Sequence, residues 1–172
     1  MGELNFGRIL RRTSQYRDDV ALRDLASGYH ATYGEHLERL GRLCHAMSGL
    51  GLDGTSPFAV LAGASHQYVE LWRAGLAGAG IINPLNARLA PDEITYILND
   101  STARVVFVDA ENADRIHSLR DRLTAVEHVV LIGDGTRGDC DAVLDDLIGD
   151  ATSVLPSEPD DDAPAVLMYT GG

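Results

Sequence analysis

"GIINPLNARLAPDEITYILNDSTARVVFV", residues 80–108, reads as strand, helix, strand. Its first apolar run, 80–82, is short. Pro91 suits the first position of a helix, and Asp92 and Glu93 favour the positive end of its dipole, so the spacing predicts a helix over 91–99. "ARVVFV" (103–108) is then apolar with no polar alternation, the pattern of a strand covered on both faces. Two strands joined through a helix in this way run parallel.

The same rhythm extends outward in both directions. "FAVLA" (58–62), "HVVLI" (128–132) and "AVLMY" (165–169) are further solid apolar runs. Helical spacing recurs at 66–77 with Val69, Trp72 and Leu76, at 110–123 with Ala113, Ile116, Leu119 and Leu123, and more weakly at 139–149. Alternating elements of these two kinds predict an α/β fold, a mostly parallel sheet with helices on both faces joined by right-handed crossovers. Ahead of it, "VALRDLASGYHATY" (20–33) has two alternating segments around Ser27-Gly28, which predicts a small β-hairpin. Thr32 and Glu35 then form a capping box for a helix carrying Leu37, Leu40, Leu43, Cys44 and Met47, with exits at Gly49 and Gly51. The whole of 1–172 reads as a single α/β domain. Three prolines and clustered acids make 150–164 an acidic surface connection. No internal repeat is visible.

The 172 residues are 45% hydrophobic and 23% charged, the make-up of a globular domain. The net charge of -12 is uneven, because ten acids stand against the single Arg137 within 134–162. Such a surface repels nucleic acid. All fourteen basic residues are arginine, so chemistry needing a lysine ammonium must come from outside this stretch. Two cysteines far apart, Cys44 and Cys140, suggest reduced thiols, and no signal peptide, myristoylation pattern or membrane-length run is present. The expected location is the cytoplasm.

Several motifs invite a functional reading that their context weakens. Gly133, Gly135 and Gly138 spell G-x-G-x-x-G, but Asp134, Asp139 and Asp141 would crowd an anion there, which leaves an exposed glycine turn. "GLAGAG" (75–80) lies between a helix and a strand, where no helix N-terminus meets a phosphate. "GASHQ" (63–67) has Gln67 where a nucleophile elbow needs glycine. Ser65 is expected to cap the following helix, with Ser65 and His66 as possible pocket lining at the strand end. Six scattered histidines give no ligand spacing, so no metal site is expected. No catalytic residue is assigned.

Tyr169-Thr170-Gly171-Gly172 follows the last apolar run directly. Glycines let backbone N–H groups approach oxyanions, and a hydroxyl adds a donor, which is the chemistry of a phosphate cradle. From about Asn5 to Gly172 the chain resembles the adenylate-forming acyl-CoA synthetases. "VLMYTGG" is similar to the opening of that family's phosphate-binding signature, Y-T-[SG]-G-T-T-G-x-P-K-G, with Gly171 where serine is common. "ATYGEHLERLGRLCHAM" (31–47) is similar to its early helix, and 71–109 resembles its best-marked N-terminal stretch. "NPLNARL" is closer to acyl-CoA synthetases than to amino-acid-adenylating domains.

The resemblance implies a fatty-acid or related carboxylate–CoA ligase acting through an acyl-adenylate, with ATP, Mg²⁺ and CoA. Thr170, Gly171 and Gly172 would bind the nucleotide's phosphates. Those residues stop partway through the signature, so the expectation is an N-terminal fragment, inactive alone. Its apolar last strand, short of neighbours, is expected to promote self-association. A non-catalytic binding or assembly module of the same fold, and another adenylate-forming enzyme such as an aryl-acid ligase, remain as alternatives.

Overall fold

A computed structural model describes residues 6–170. Five parallel strands form the central sheet: β3 (Pro57–Leu61), β4 (Ile81–Pro84), β5 (Val105–Val108), β6 (His128–Leu131) and β7 (Ala142–Val143), in the order β4-β3-β5-β6-β7. Ahead of them come α1 (Phe6–Arg12), the antiparallel hairpin β1 (Val20–Arg23) and β2 (His30–Thr32), and α2 (Tyr33–Gly49). The connecting helices are α3 (His66–Ala74), α4 (Pro91–Asp100), α5 (Ala110–Leu119) and α6 (Leu144–Asp150).

Alternation along each strand divides the core. Phe58, Val60, Val105 and Phe107 pack with α2, α3 and α6 on one face, whereas Ala59, Leu61, Val106 and Val108 pack with α4 and α5 on the other. From β3 the chain steps to β4 on one side, then crosses back past β3 to β5 and β6. That reversal puts α3 on one face and α4 and α5 on the opposite one, as a constant crossover hand requires.

Local chemistry explains the boundaries. Thr32 caps α2 by accepting from the Glu35 N–H at 3.3 Å while the Glu35 carboxylate accepts from the Thr32 N–H at 2.8 Å, and Gly51 makes the exit at φ +78°. Gly49 stays helical. Gly80 enters β4 at φ +157°, where a Cβ would lie 2.9 Å from the Phe58 ring, so only glycine fits. Gly41, inside α2, leaves room for Ser153 and Val154, so that the irregular segment after α6 runs against α2 at 152–154 and reaches Gly78 with Pro159.

Three expectations are refined. The stripe Val69, Trp72 and Leu76 is half-buried, and α3 instead turns Gln67, Glu70, Leu71 and Ala74 inward. The inward polar pair is satisfied, Glu70 by Arg39 and Gln67 by the Gly133 N–H. Within 139–149 the helix begins only at Leu144, because Ala142 and Val143 join the sheet beside β6. The apolar run 165–169 makes a single parallel bridge, Val166 to Ile82, at the open edge of β4, with Val166 and Met168 exposed. No helix among the described residues is long and apolar enough to cross a membrane.

His36 on α2 is buried, and neither ring nitrogen has a partner among the described residues. Burial, aided by the nearby Arg73 and Arg39 cations, pushes its pKa down from 6.5 to about 4. The unfolded chain therefore binds the proton more readily, so this contribution to stability is complete above pH 6.5 and is lost as pH falls towards 4. The loss amounts to ~3 kcal/mol. Urea unfolding at pH 4 and pH 7 should show His36→Leu losing less stability on acidification than the parent, by about that amount.

Candidate functional site

The C-terminal ends of parallel strands are where open α/β sheets bind ligands, at the point where connections diverge to opposite faces. Here that point lies between β3 and β5. It is occupied by the chain's own groups: the Asp109 carboxylate accepts from the Gly63 N–H at 2.7 Å and also caps α5 through the Asn112 N–H. Ser65 caps α3, its hydroxyl accepting from the Tyr68 N–H at 3.1 Å. His66 meets Asp24 of the hairpin turn twice at 3.1 Å, through its backbone N–H and ring Nδ1, and stacks on Tyr29 with ring centroids 3.9 Å apart.

Hydrogen bonds from the His66 ring and backbone, with help from Ser27, hold the Asp24 carboxyl well below the usual carboxylate range. Ser65, His66 and Asp24 are thus brought together, an association with no signal in the sequence because Asp24 lies far upstream. The serine hydroxyl is turned to the helix, so the three do not form a nucleophile and base. Behind them Arg39 binds both Glu70 oxygens, at 2.9 and 3.0 Å, and reaches Asp145 at 2.5 Å. Glu70 is fully buried, and burial raises its pKa against the opposing pull of Arg39. Two N-terminal donors of α3, the His66 and Tyr68 N–H groups, are therefore engaged, and His66 holds the hairpin to the start of α3.

Open space lies instead at the free edge of β4. Residues 165–167 run beside Ile82, whose N–H donates to the Ala165 carbonyl at 3.0 Å and whose carbonyl accepts from the Leu167 N–H at 2.8 Å. Tyr169 then donates its hydroxyl to Asp100 at the end of α4, 2.6 Å away, and sets its ring edge-on to Tyr96. Desolvation, then the Asp100 carboxylate, raises the Tyr169 pKa to about 12. Thr170 follows, exposed, and Gly171 and Gly172 lie outside the described residues.

Between this strap, α3 and α4 is a groove of about 860 Å³. Tyr68, Trp72, Asn83, Leu89, Tyr96 and Thr170 line it. Sequence reading identifies Thr170 alone among these as a site residue. Asn83 gives one signal, a polar residue inside a short strand of otherwise apolar character.

The remaining motifs are structural. Gly133, Gly135 and Gly138 all take positive φ in a loop between β6 and β7, with no helix N-terminus behind them. Cys44 and Cys140 are buried in clusters on opposite faces of the sheet, and burial pushes the Cys44 thiol up to about 12. Among the described residues, no three His, Cys, Asp or Glu side chains gather where a metal ion could be held.

A family model described as AMP-binding enzyme matches residues 9–172. Sulfoacetate–CoA ligase of Cupriavidus necator is 31% identical over 163 residues, which are 94% of this chain and 31% of that protein. 3-Methylmercaptopropionyl-CoA ligase of Ruegeria lacuscaerulensis is 32% identical over 101 residues, covering 59% of this chain and 19% of that protein. The crystal structure of the anthranilate CoA ligase AuaEII in complex with anthranoyl-AMP aligns over 98% of this chain and 32% of its own, with a TM-score of 0.88 and 26% identity. The chain thus spans no more than about a third of the length of these relatives. With the family match running through the sheet, the edge strap and Thr170, the chain belongs to the AMP-binding enzyme family.

Proposed function

We propose that this chain is the N-terminal part of an ATP-dependent acyl-CoA ligase, in which residues 170–172 begin the phosphate-binding loop. The family match through residue 172 carries the reading, and the fold supports it by delivering Thr170 exposed from a segment bridged to the sheet edge at Val166. Relatives named as CoA ligases for sulfoacetate, 3-hydroxybenzoate and long-chain fatty acids share the CoA-ligase step and differ in the acid. In the proposed reaction a carboxylate oxygen attacks the α-phosphorus of ATP, and the bond to the bridging oxygen breaks to release pyrophosphate. The CoA thiol then attacks the acyl carbon, and AMP leaves.

The Thr170 hydroxyl would donate to an oxygen of the departing pyrophosphate, joined by the backbone N–H groups that follow. Such donors act where charge develops, and losing one costs about 10²–10³ in turnover. Mg²⁺, bound through the phosphates, would neutralise the same charge. This stretch contains no lysine, so it supplies no ammonium to the reaction. Cytoplasmic location accords with an enzyme drawing on ATP and CoA.

In the protein encoded by the complete gene, Thr170→Val should lower carboxylate-dependent pyrophosphate release about a hundredfold without altering the circular dichroism spectrum. Absence of acyl-adenylate from every short, long or aryl acid tried with the parent would reject the ligase reading. The 172-residue chain alone should show no ATP–pyrophosphate exchange, and exchange above background would show that the loop is sufficient as it stands. We further propose that the exposed edge at 165–169 lets this chain self-associate. Sedimentation velocity should show dimers or larger species, and a strict monomer at high concentration would refute it.

A further inference from the structure

The chain contains two Asp-Gly pairs, Asp53-Gly54 and Asp134-Gly135, and no Asn-Gly. In such a pair the glycine places no Cβ beside its nitrogen, so the backbone amide can reach the carbonyl carbon of the preceding side chain. The two pairs differ in what holds the reacting groups.

Asp53 is fastened. Its Oδ1 accepts from the Thr55 hydroxyl and the Ser56 hydroxyl, both at 2.8 Å, and from the Thr55 N–H at 2.9 Å. These bonds favour the charged form and bring its pKa down to about 2. Ring closure needs the neutral carboxyl, which has a hydroxyl to lose, so Asp53 is protected both by position and by ionisation.

Asp134 is the opposite case. It lies exposed in the loop 132–141 between β6 and β7, and neither its carboxylate nor the Gly135 N–H has a hydrogen-bond partner among the described residues. Packing favours glycine at 135, where φ is +156° and a Cβ would lie 3.1 Å from that of Ala110 on α5. The loop is pinned on either side of the pair, by the Gly133 N–H on the Gln67 side-chain carbonyl and by the Arg137 guanidinium on the Cys140 and Asp141 carbonyls.

We propose that Asp134-Gly135 is a site of spontaneous covalent modification that yields isoaspartate, an acceptor for a carboxyl methyltransferase using S-adenosylmethionine. The Gly135 nitrogen attacks Asp134 Cγ, and its proton leaves with the carboxyl hydroxyl as water, which closes a succinimide. Water then reopens the ring. Attack at Cγ restores aspartate, whereas attack at the Asp134 main-chain carbonyl carbon leaves the chain running through Cβ and Cγ with a free α-carboxylate. An oxygen of that carboxylate takes the methyl group from the sulfonium, and S-adenosylhomocysteine departs. The added backbone carbon falls between the two pins, so the sheet keeps its register. The site stands whether or not residues 170–172 bind a nucleotide.

The test uses the protein encoded by the complete gene, aged in mildly acidic buffer, then methylated intact by an isoaspartate-specific methyltransferase with labelled S-adenosylmethionine and digested with trypsin. Cleavage at arginine isolates Asp134 in peptide 123–137 and Asp53 in peptide 43–73, each the one aspartate of its peptide. Label in 123–137 should exceed that in 43–73 at least about tenfold, the factor that one pKa unit alone supplies. Ageing in urea before refolding should bring the two close to parity, because the bonds that protect Asp53 are then absent. Asp134→Glu, whose longer side chain closes a ring far more slowly, should lose the 123–137 label with an unchanged circular dichroism spectrum. No label in 123–137, equal label in both peptides of the folded protein, an excess undiminished by urea, or label retained in the glutamate variant would each overturn the proposal.

Discussion

The pairing of β3 with β5, from Phe58 beside Val105 to Leu61 beside Val108, is the constraint on which the rest depends. Two parallel strands cannot be joined by a tight turn, so each needs a crossover, and each crossover covers one face. With β3 flanked by β4 and β5, its alternate residues must satisfy two different cores at once, and Phe58, Ala59, Val60 and Leu61 are all fully buried. A one-residue slip would exchange Phe58 for Ala59 against α2 and α3, leaving a void on one face and a clash on the other. The register also aligns the C-terminal ends of the strands, which brings Gly63 within reach of Asp109.

Polar groups at those ends decide where the molecule is closed and where it is open. The Arg39–Glu70–Asp145 and Asp24–His66 contacts tie the hairpin and α2 to α3 and consume donors that a ligand would otherwise use. A buried ion pair such as Arg39–Glu70 adds little net stability, because desolvation offsets much of the attraction, but removing either partner would strand the other. Its effect is therefore to fix the position of α3. Among the described residues the β4 edge carries no comparable ion pair, and the groove lies there, beside the singly bridged segment 165–169.

Legibility in the sequence follows the physics of each element. Solid apolar runs at 58–62, 103–108 and 128–132 are short enough to fit strands covered on both faces, and the Thr32–Glu35 box states its helix start locally. The full inward face of α3 is not legible, because apolar spacing favours the half-buried Val69, Trp72 and Leu76, while the inward positions Gln67 and Glu70 are made tolerable by Gly133 and Arg39, distant partners that no local pattern announces. Ala142 and Val143 became strand because β6 offers them a free edge, a tertiary effect that overrides a helical spacing. For the candidate site, the chemistry of Tyr169 and Thr170 was visible in four consecutive residues. The groove was not, since Tyr68, Asn83 and Tyr96 meet only after two crossovers.

The strap that carries Thr170 is held differently from the strands of the sheet. Beyond the two backbone bonds to Ile82, its position is set by the Tyr169 hydroxyl on Asp100, where α4 has just ended and Thr102 turns the chain at φ +54°. That tether needs Tyr169 as a donor and Asp100 as an acceptor. With the tyrosine pKa raised to about 12, the hydroxyl keeps its proton throughout the neutral range and remains a donor to Asp100. Segments with few backbone bonds and exposed side chains open more readily than the core around them. Thr170 is thus borne on a short segment able to shift locally, yet directed by one charge-assisted bond to the rigid end of α4.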